Sequence, residues 1–234
     1  MNEFLRQNYF LLTYSVEFLA AVTGIFCYKK YKSSVAKYFI FFLIYSFIID
    51  LLGNYSRYIN SVEFYQYIKG TIFEKNYLMF AIFGYLGRMY FFLFYYLMIL
   101  KNELFKNVFK YISIFLIAIS ILHLIIHIEQ FYYKGSTFLT INSSVLIILG
   151  AILYLVEVLQ SDKILYFFQS INFYISCVFL IWLLIITPLT FYQIYFSTAD
   201  WNFVFLKWQI YLFANLFMYI TFTFALIYCK PEND

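Results

Sequence analysis

The chain has 234 residues, 65% of them hydrophobic and only 12% charged, with a formal net charge of +4. A soluble domain carries roughly twice that share of charge, and 32 Phe with 26 Tyr exceed what one aqueous core uses. The positive charge is scattered, with no basic run or basic helix, so nucleic acid is excluded as a partner.

The composition predicts an all-α integral membrane protein, a single heptahelical domain over residues 1–234 with the lipid bilayer as its first partner. A bilayer core needs about 20 apolar residues per helix. Backbone groups in lipid must be satisfied within the segment, so each apolar run is read as a helix. Seven runs meet this, at about 9–28, 37–57, 77–100, 107–128, 140–160, 170–194 and 206–228. No basic start followed by a short apolar stretch and a small-residue cleavage site marks a signal peptide. The odd number of spans does not divide into the equal halves of an inverted-repeat transporter. Cys27, Cys177 and Cys229 are far apart and are read as thiols buried in lipid, with neither a disulfide nor a metal site.

Taken in chain order, the first span carries Glu17 on a face with Ala20, Ala21 and Gly24. The second carries Asp50 in "SFIIDLLGNYSRY", on a face with Ser46, Gly53, Asn54 and Arg57. The third holds Arg88 in "FGYLGRMYFFLFYY". Ala81, Gly84 and Arg88 fall at i, i+3 and i+7, which places them on one helical face where small residues admit a neighbour. His123 and His127, four apart in the fourth span, could hold a metal by spacing. They are the only histidines, and no cysteine or intervening glutamate completes a site. His127 is read at the outer interface and His123 as bonding a neighbour. Glu157 ends the fifth span close enough to water to be solvated. Pro188 in "LLIITPLTFY" is either a hinge or a static kink of the sixth span. The seventh carries Asn215 but no central lysine, which argues against retinal chemistry.

Lys and Arg in short loops set orientation. Lys29, Lys30, Lys32 and Lys37 lie in the first connection, Lys101, Lys106 and Lys110 in the third, Lys163 in the fifth, and Lys230 after the last span. The other side has Arg6, Arg57, Lys69, Lys75, Lys134 and Lys207. The predicted topology has the N-terminus outside and the C-terminus in the cytoplasm. Too little chain then faces the cytoplasm for a soluble domain, so any intracellular output passes through a membrane or cytoplasmic partner protein.

A charge at mid-span costs at least ~2.5–3.5 kcal/mol and calls for a buried partner. At ~1.5 Å per residue, Glu17, Asp50, Arg88, His123 and Asn215 lie roughly 8–16 Å from the outer ends of their spans. They form one expected polar cluster, joined by Asn54, with Arg88 neutralised by Glu17, Asp50 or both. The inner half shows no such cluster. The cluster is either a pocket for a small ligand or ion from the outer side, or a lock that fixes helix order. Tyr85, Tyr211 and Tyr219 are candidate lining residues. Tyr28, Tyr31, Tyr58, Tyr132, Tyr133 and Tyr195 read as interface belts. The long outer loop "SRYINSVEFYQYIKGTIFEKN" is placed to cap the pocket.

The acid of the first span, "IIDLLGNYSRYI", and the segments "FFQSINFYISCVFLIWLLIITP" and "FTFALIYCKP" resemble a family of small bacterial seven-helix membrane proteins, some encoded near sensor kinases. Phe173 and Tyr174 stand where relatives often carry Phe-Trp. The resemblance implies a sensing or accessory module in the bacterial cytoplasmic membrane and brings no catalytic residue. No nucleophile with a base, phosphate loop or metal set is legible, so the chain reads as non-enzymatic and without cofactor. The expected function is a membrane sensor or accessory subunit signalling through a partner. The alternatives are a small transporter or ion- or proton-conducting protein, and a purely structural subunit of a membrane complex.

Overall fold

Backbone polar groups that meet no water close on themselves as helices, and in this computed structural model they do so along nearly the whole chain. The structure describes residues 2–58, 67–161, 165–192 and 201–231. It is 84% helix and has no strand among the described residues. Seven long helices follow one another: α1 (Asn2–Tyr31), α2 (Ala36–Leu52), α3 (Tyr77–Ile99), α4 (Glu103–Ile126), α5 (Thr137–Leu159), α6 (Ile171–Tyr192) and α7 (Trp201–Tyr228). All but α2 are long and apolar enough to cross a membrane.

At 17 residues, α2 stops five short of the expected end of its span. The reason lies in its last turn. The Gly53 amide donates to Ile49 O at 2.8 Å, and Asn54 Nδ2 donates to Asp50 O at 3.1 Å and to Tyr14 Oη at 2.6 Å. Asn76 Nδ2 then donates to Gly53 O at 2.8 Å. These bonds close the helix end, whose carbonyls otherwise lack partners. The Phe80 ring fills the space a Gly53 Cβ would need, so the residue at this turn must be glycine. Tyr55–Tyr58 forms a separate helical turn. The side chains of Arg6, Arg57 and Tyr58, and all of Lys163, Tyr195 and loop residues 59–66, lie outside the described residues.

Consecutive helices pack side by side from α1 to α7, and α1 closes the ring against α7; α5 also packs on α3. Lipid tails are as apolar as the side chains they meet, so close packing and polar pairs specify the arrangement. Near the lysine-bearing end the interior is solid. Phe39, Phe92, Tyr95, Tyr96 and Phe109 are fully buried. Tyr96 lies over Gly150, and its ring occupies the place of a Cβ there. Each buried phenol in this half has a partner. Tyr95 Oη donates to Asn172 Oδ1 at 2.6 Å and Tyr96 Oη to Ser176 Oγ at 3.3 Å.

Two expectations change here. Tyr31 is not an interface residue. It is fully buried, and its hydroxyl donates to Leu226 O at 3.1 Å and Cys229 O at 2.9 Å. Beside it, Lys30 Nζ donates to Ile227 O at 2.8 Å, so the end of α1 satisfies the last carbonyls of α7. Glu157 is more than a solvated acid. Its carboxylate accepts from the Lys101 amide at 3.0 Å and the Asn102 amide at 3.0 Å, just ahead of α4. Asn102 Oδ1 in turn accepts from Leu104 N at 2.9 Å as the α4 N-cap. The lysine-bearing half therefore does hold buried polar pairs.

Gly150→Ala forces a methyl into the Tyr96 ring, an overpacking that costs ~1–3 kcal/mol. The expected result is a lower thermal unfolding temperature in detergent than for wild type. An unchanged temperature would refute the close Tyr96–Gly150 fit.

Candidate functional site

Toward the other end the packing opens, and α3 changes pitch. Residues Phe80–Leu86 form a π-helical segment within it. The Gly87 amide donates to Ile82 O, five residues back instead of four. This releases Phe83 O, the ordinary α-helical acceptor for Gly87, which accepts from Tyr45 Oη at 2.7 Å. Gly87 is required for that contact, since a Cβ there would collide with the Tyr45 hydroxyl. Such insertions recur at functional sites.

The change of pitch corrects one expectation. Ala81, Gly84 and Arg88 do not share a face. Ala81 packs with Leu78, Phe131 and Leu139, while Gly84 and Arg88 line a cavity on another side of α3. An i, i+3, i+7 face holds only where each turn has 3.6 residues, and the π segment lies between these positions.

The cavity measures about 120 Å³ and is walled by α1, α2, α3, α6 and α7. Glu17, Asp50, Arg88 and Asn215 line it, so four of the expected cluster meet in one place. Glu17 is 4% exposed and is flanked by Asp50 and the Tyr219 hydroxyl. Its Oε2 has no hydrogen-bond partner among the described residues. Arg88 attracts Asp50 across the cavity, yet no ion pair within 4.0 Å joins it to either acid; the one ion pair among the described residues is Lys106–Glu103 at 3.9 Å. Its guanidinium carbon instead lies 5.7 Å from the centroid of the Trp182 ring, a cation–π arrangement. Trp182 Nε1 donates to Asn215 Oδ1 at 2.8 Å, fixing the ring over the arginine.

Two expected members stand elsewhere. Asn54 closes α2, with its amide given to Tyr14 and Asp50. His123 belongs to the α4–α5 side: its Nε2 is 3.1 Å from Ser136 Oγ and 3.3 Å from Gln130 Nε2, and its ring centroid is 4.6 Å from that of exposed His127. Equal depth along a helix does not fix direction around it. Among the described residues no group of three or more His, Cys, Asp or Glu comes together that could hold a metal ion. Pro188 lies inside α6 about one turn before Tyr192, so a hinge there would move little of the described helix.

The cavity has a floor and a neighbour. Its floor is aromatic: Phe42, Phe179 and Phe222 line it, with ring centroids 6.2 Å apart for Phe42–Phe179 and 5.1 Å for Phe179–Phe222. Beyond the Phe80 ring lies a second cavity of about 580 Å³, lined by Tyr77, Tyr85, Tyr211, Lys134 and the hydroxyl-bearing Thr137, Thr140 and Thr190. Phe80 lines both. Asn76 joins that lining from the end of the long loop, whose Phe73 and Lys75 carbonyls accept from Tyr55 Oη at 2.7 and 3.1 Å.

Phe80, Tyr45 and Trp182 are the members that sequence reasoning missed. Trp182 had a signal, because tryptophan favours membrane interfaces and this one falls at mid-helix.

No family model matches the chain, and no curated protein or solved structure is similar to it.

If Phe80 separates the two cavities, replacing it by alanine joins them. With the three native cysteines replaced, Ser46→Cys reports on access, since Ser46 lines the charged cavity. Phe80→Ala is expected to speed its reaction with a small cationic thiol reagent several-fold. An unchanged rate would contradict the partition.

Proposed function

We propose that the protein is a non-enzymatic membrane sensor or accessory subunit. Its charged cavity takes a small ligand from the outer side of a bacterial cytoplasmic membrane, and a partner protein carries the output. In this reading all seven helices span. The 17 residues of α2 are at the short end of the spanning range, and local thinning accommodates the difference. Lys29, Lys30, Lys32, Lys37, Lys101, Lys106, Lys110 and Lys230 mark the cytoplasmic face by the positive-inside rule. The N-terminus is then outside and the C-terminus inside.

The observation that carries the proposal is that the cavity is blind. Glu17, Asp50 and Arg88 face it, and a solid block of rings from Phe42 and Phe179 to Tyr95 and Tyr96 lies between it and the lysine-bearing end. A transporter or conducting protein needs a polar path through that half. A sensor needs only that occupancy shift the helices, and the cavity walls belong to five of them. The same helices α1 and α7 meet again at the far end through Lys30, Tyr31 and the α7 carbonyls. A change in their packing at Glu17 and Tyr219 thus reaches the lysine-rich face without a through-path. A ligand biases such a pair only by its differential affinity for two arrangements.

Gentle purification from the native membrane, followed by mass spectrometry of what accompanies the chain, tests this reading. A stoichiometric membrane or cytoplasmic partner is expected, and Arg88→Ala is expected to abolish its signalling or assembly. Wild-type protein that emerges alone and drives ion flux in proteoliposomes would contradict the proposal.

A further inference from the structure

With all three ionised, Glu17, Asp50 and Arg88 carry one net negative charge around the cavity. Asp50 and Arg88 attract each other across it and count as one of each sign. Glu17, hydrogen-bonded to Asp50 and Tyr219, is 4% exposed and lines the cavity, with an Oε2 that has no partner among the described residues. A buried carboxyl oxygen without a partner is a cost the fold retains only where something answers it. An anion answering Arg88 would meet two carboxyl groups.

The walls narrow the choice among cations. Tyr45, Phe80, Phe83, Trp182 and Tyr219 all border the space. An acid set among aromatic faces is the recognition chemistry of ammonium groups, which ring quadrupoles attract. At about 120 Å³ the cavity is smaller than the ~150 Å³ that accepts one benzene, which limits a guest to about five heavy atoms.

We propose that the cavity binds a small organic ammonium ion, with Glu17 as its counter-ion and the Trp182 and Tyr219 rings beside it. The inference rests on reading the cavity as a ligand pocket, and it adds the chemical class. The ion reaches the site from the larger hydroxyl-lined cavity by displacing the Phe80 ring. That ring belongs to the π-helical segment, whose ladder is already shifted and whose Phe83 carbonyl is held by Tyr45.

The test uses the purified full chain in nanodiscs of uncharged lipid, read by tryptophan fluorescence and thermal unfolding. The probes are methylammonium and trimethylammonium chloride, with sodium chloride, potassium chloride and sodium acetate at matched ionic strength. Saturable responses to the two amines and none to the salts are expected. Glu17→Gln should weaken the apparent affinity about tenfold or more, equivalent to ~1.4 kcal/mol. Should that variant not fold, Trp182→Phe keeps a ring and should weaken amine binding by a smaller factor. Equal saturation by sodium or potassium would overturn the ammonium class in favour of a bare cation. Saturation by acetate alone would make Arg88 the ligand-binding group, and no saturable response in wild type would overturn the inference outright. These failures are separable from failure of the sensor reading, which is decided by the partner: amine binding without a partner keeps the site, and a partner without amine binding keeps the sensor.

Discussion

A charged group inside a bilayer has to be answered by the protein itself, because neither water nor counter-ions reach it at low cost. Arg88, at mid-helix on α3, imposes that constraint on everything around it. Its guanidinium faces the Trp182 ring, Trp182 is held by Asn215, and Asp50 attracts it across the cavity. One residue thereby engages α2, α3, α6 and α7, and the Glu17–Asp50 contact adds α1. The arrangement leaves space between opposite charges where a packed salt bridge would leave none. A lock whose only task was to fix helix order would be expected to close that gap, since a buried pair gains most from short, fully satisfied geometry.

The two halves of the molecule solve the packing problem differently. Near the lysine-bearing end, phenols donate to amide and carbonyl oxygens and aromatic rings fill the volume down to Gly150. That half is built to hold its shape. The opposite half contains a π-helical segment and two cavities divided by one phenyl ring. The two regions share α1 and α7, whose ends are tied by Lys30 and Tyr31. This is the mechanical route to the far face that the proposed sensor would use.

How much of this was legible depended on the kind of signal. Long apolar runs report helices directly, because the bilayer leaves the backbone no other choice, and the runs at 77–100, 107–128 and 140–160 match α3, α4 and α5 to within a few residues. Glu17, Asp50 and Arg88 stood out because charges are rare in such runs, and the structure does bring them together with Asn215. Direction around a helix was less legible. His123 has the right depth and faces α5, and Ala81 turns away from Arg88 because a π segment has no signature in an apolar sequence. The satisfied pairs of the lysine-bearing half were hidden as well. Tyrosine is abundant enough here to read as a membrane belt, and nothing local distinguishes Tyr31 or Tyr95, which donate to residues far along the chain. The end of α2 was written in Gly53 and Asn54, which the expected span ran past as far as Arg57.

The central claim is that Glu17 and Arg88 belong to one electrostatic unit across the cavity. A double-mutant cycle of Glu17→Gln and Arg88→Gln, followed by thermal unfolding of the four proteins in the same nanodiscs, tests it most directly. Residues that share one network couple by about 0.5–3 kcal/mol, whereas independent sites add to within ~0.3–0.5 kcal/mol. The account predicts coupling in the former range, with the double variant less damaged than the sum of the single ones. Additive effects would mean that the two charges are independent, and the cavity would then be a gap between helices with no charged site in it.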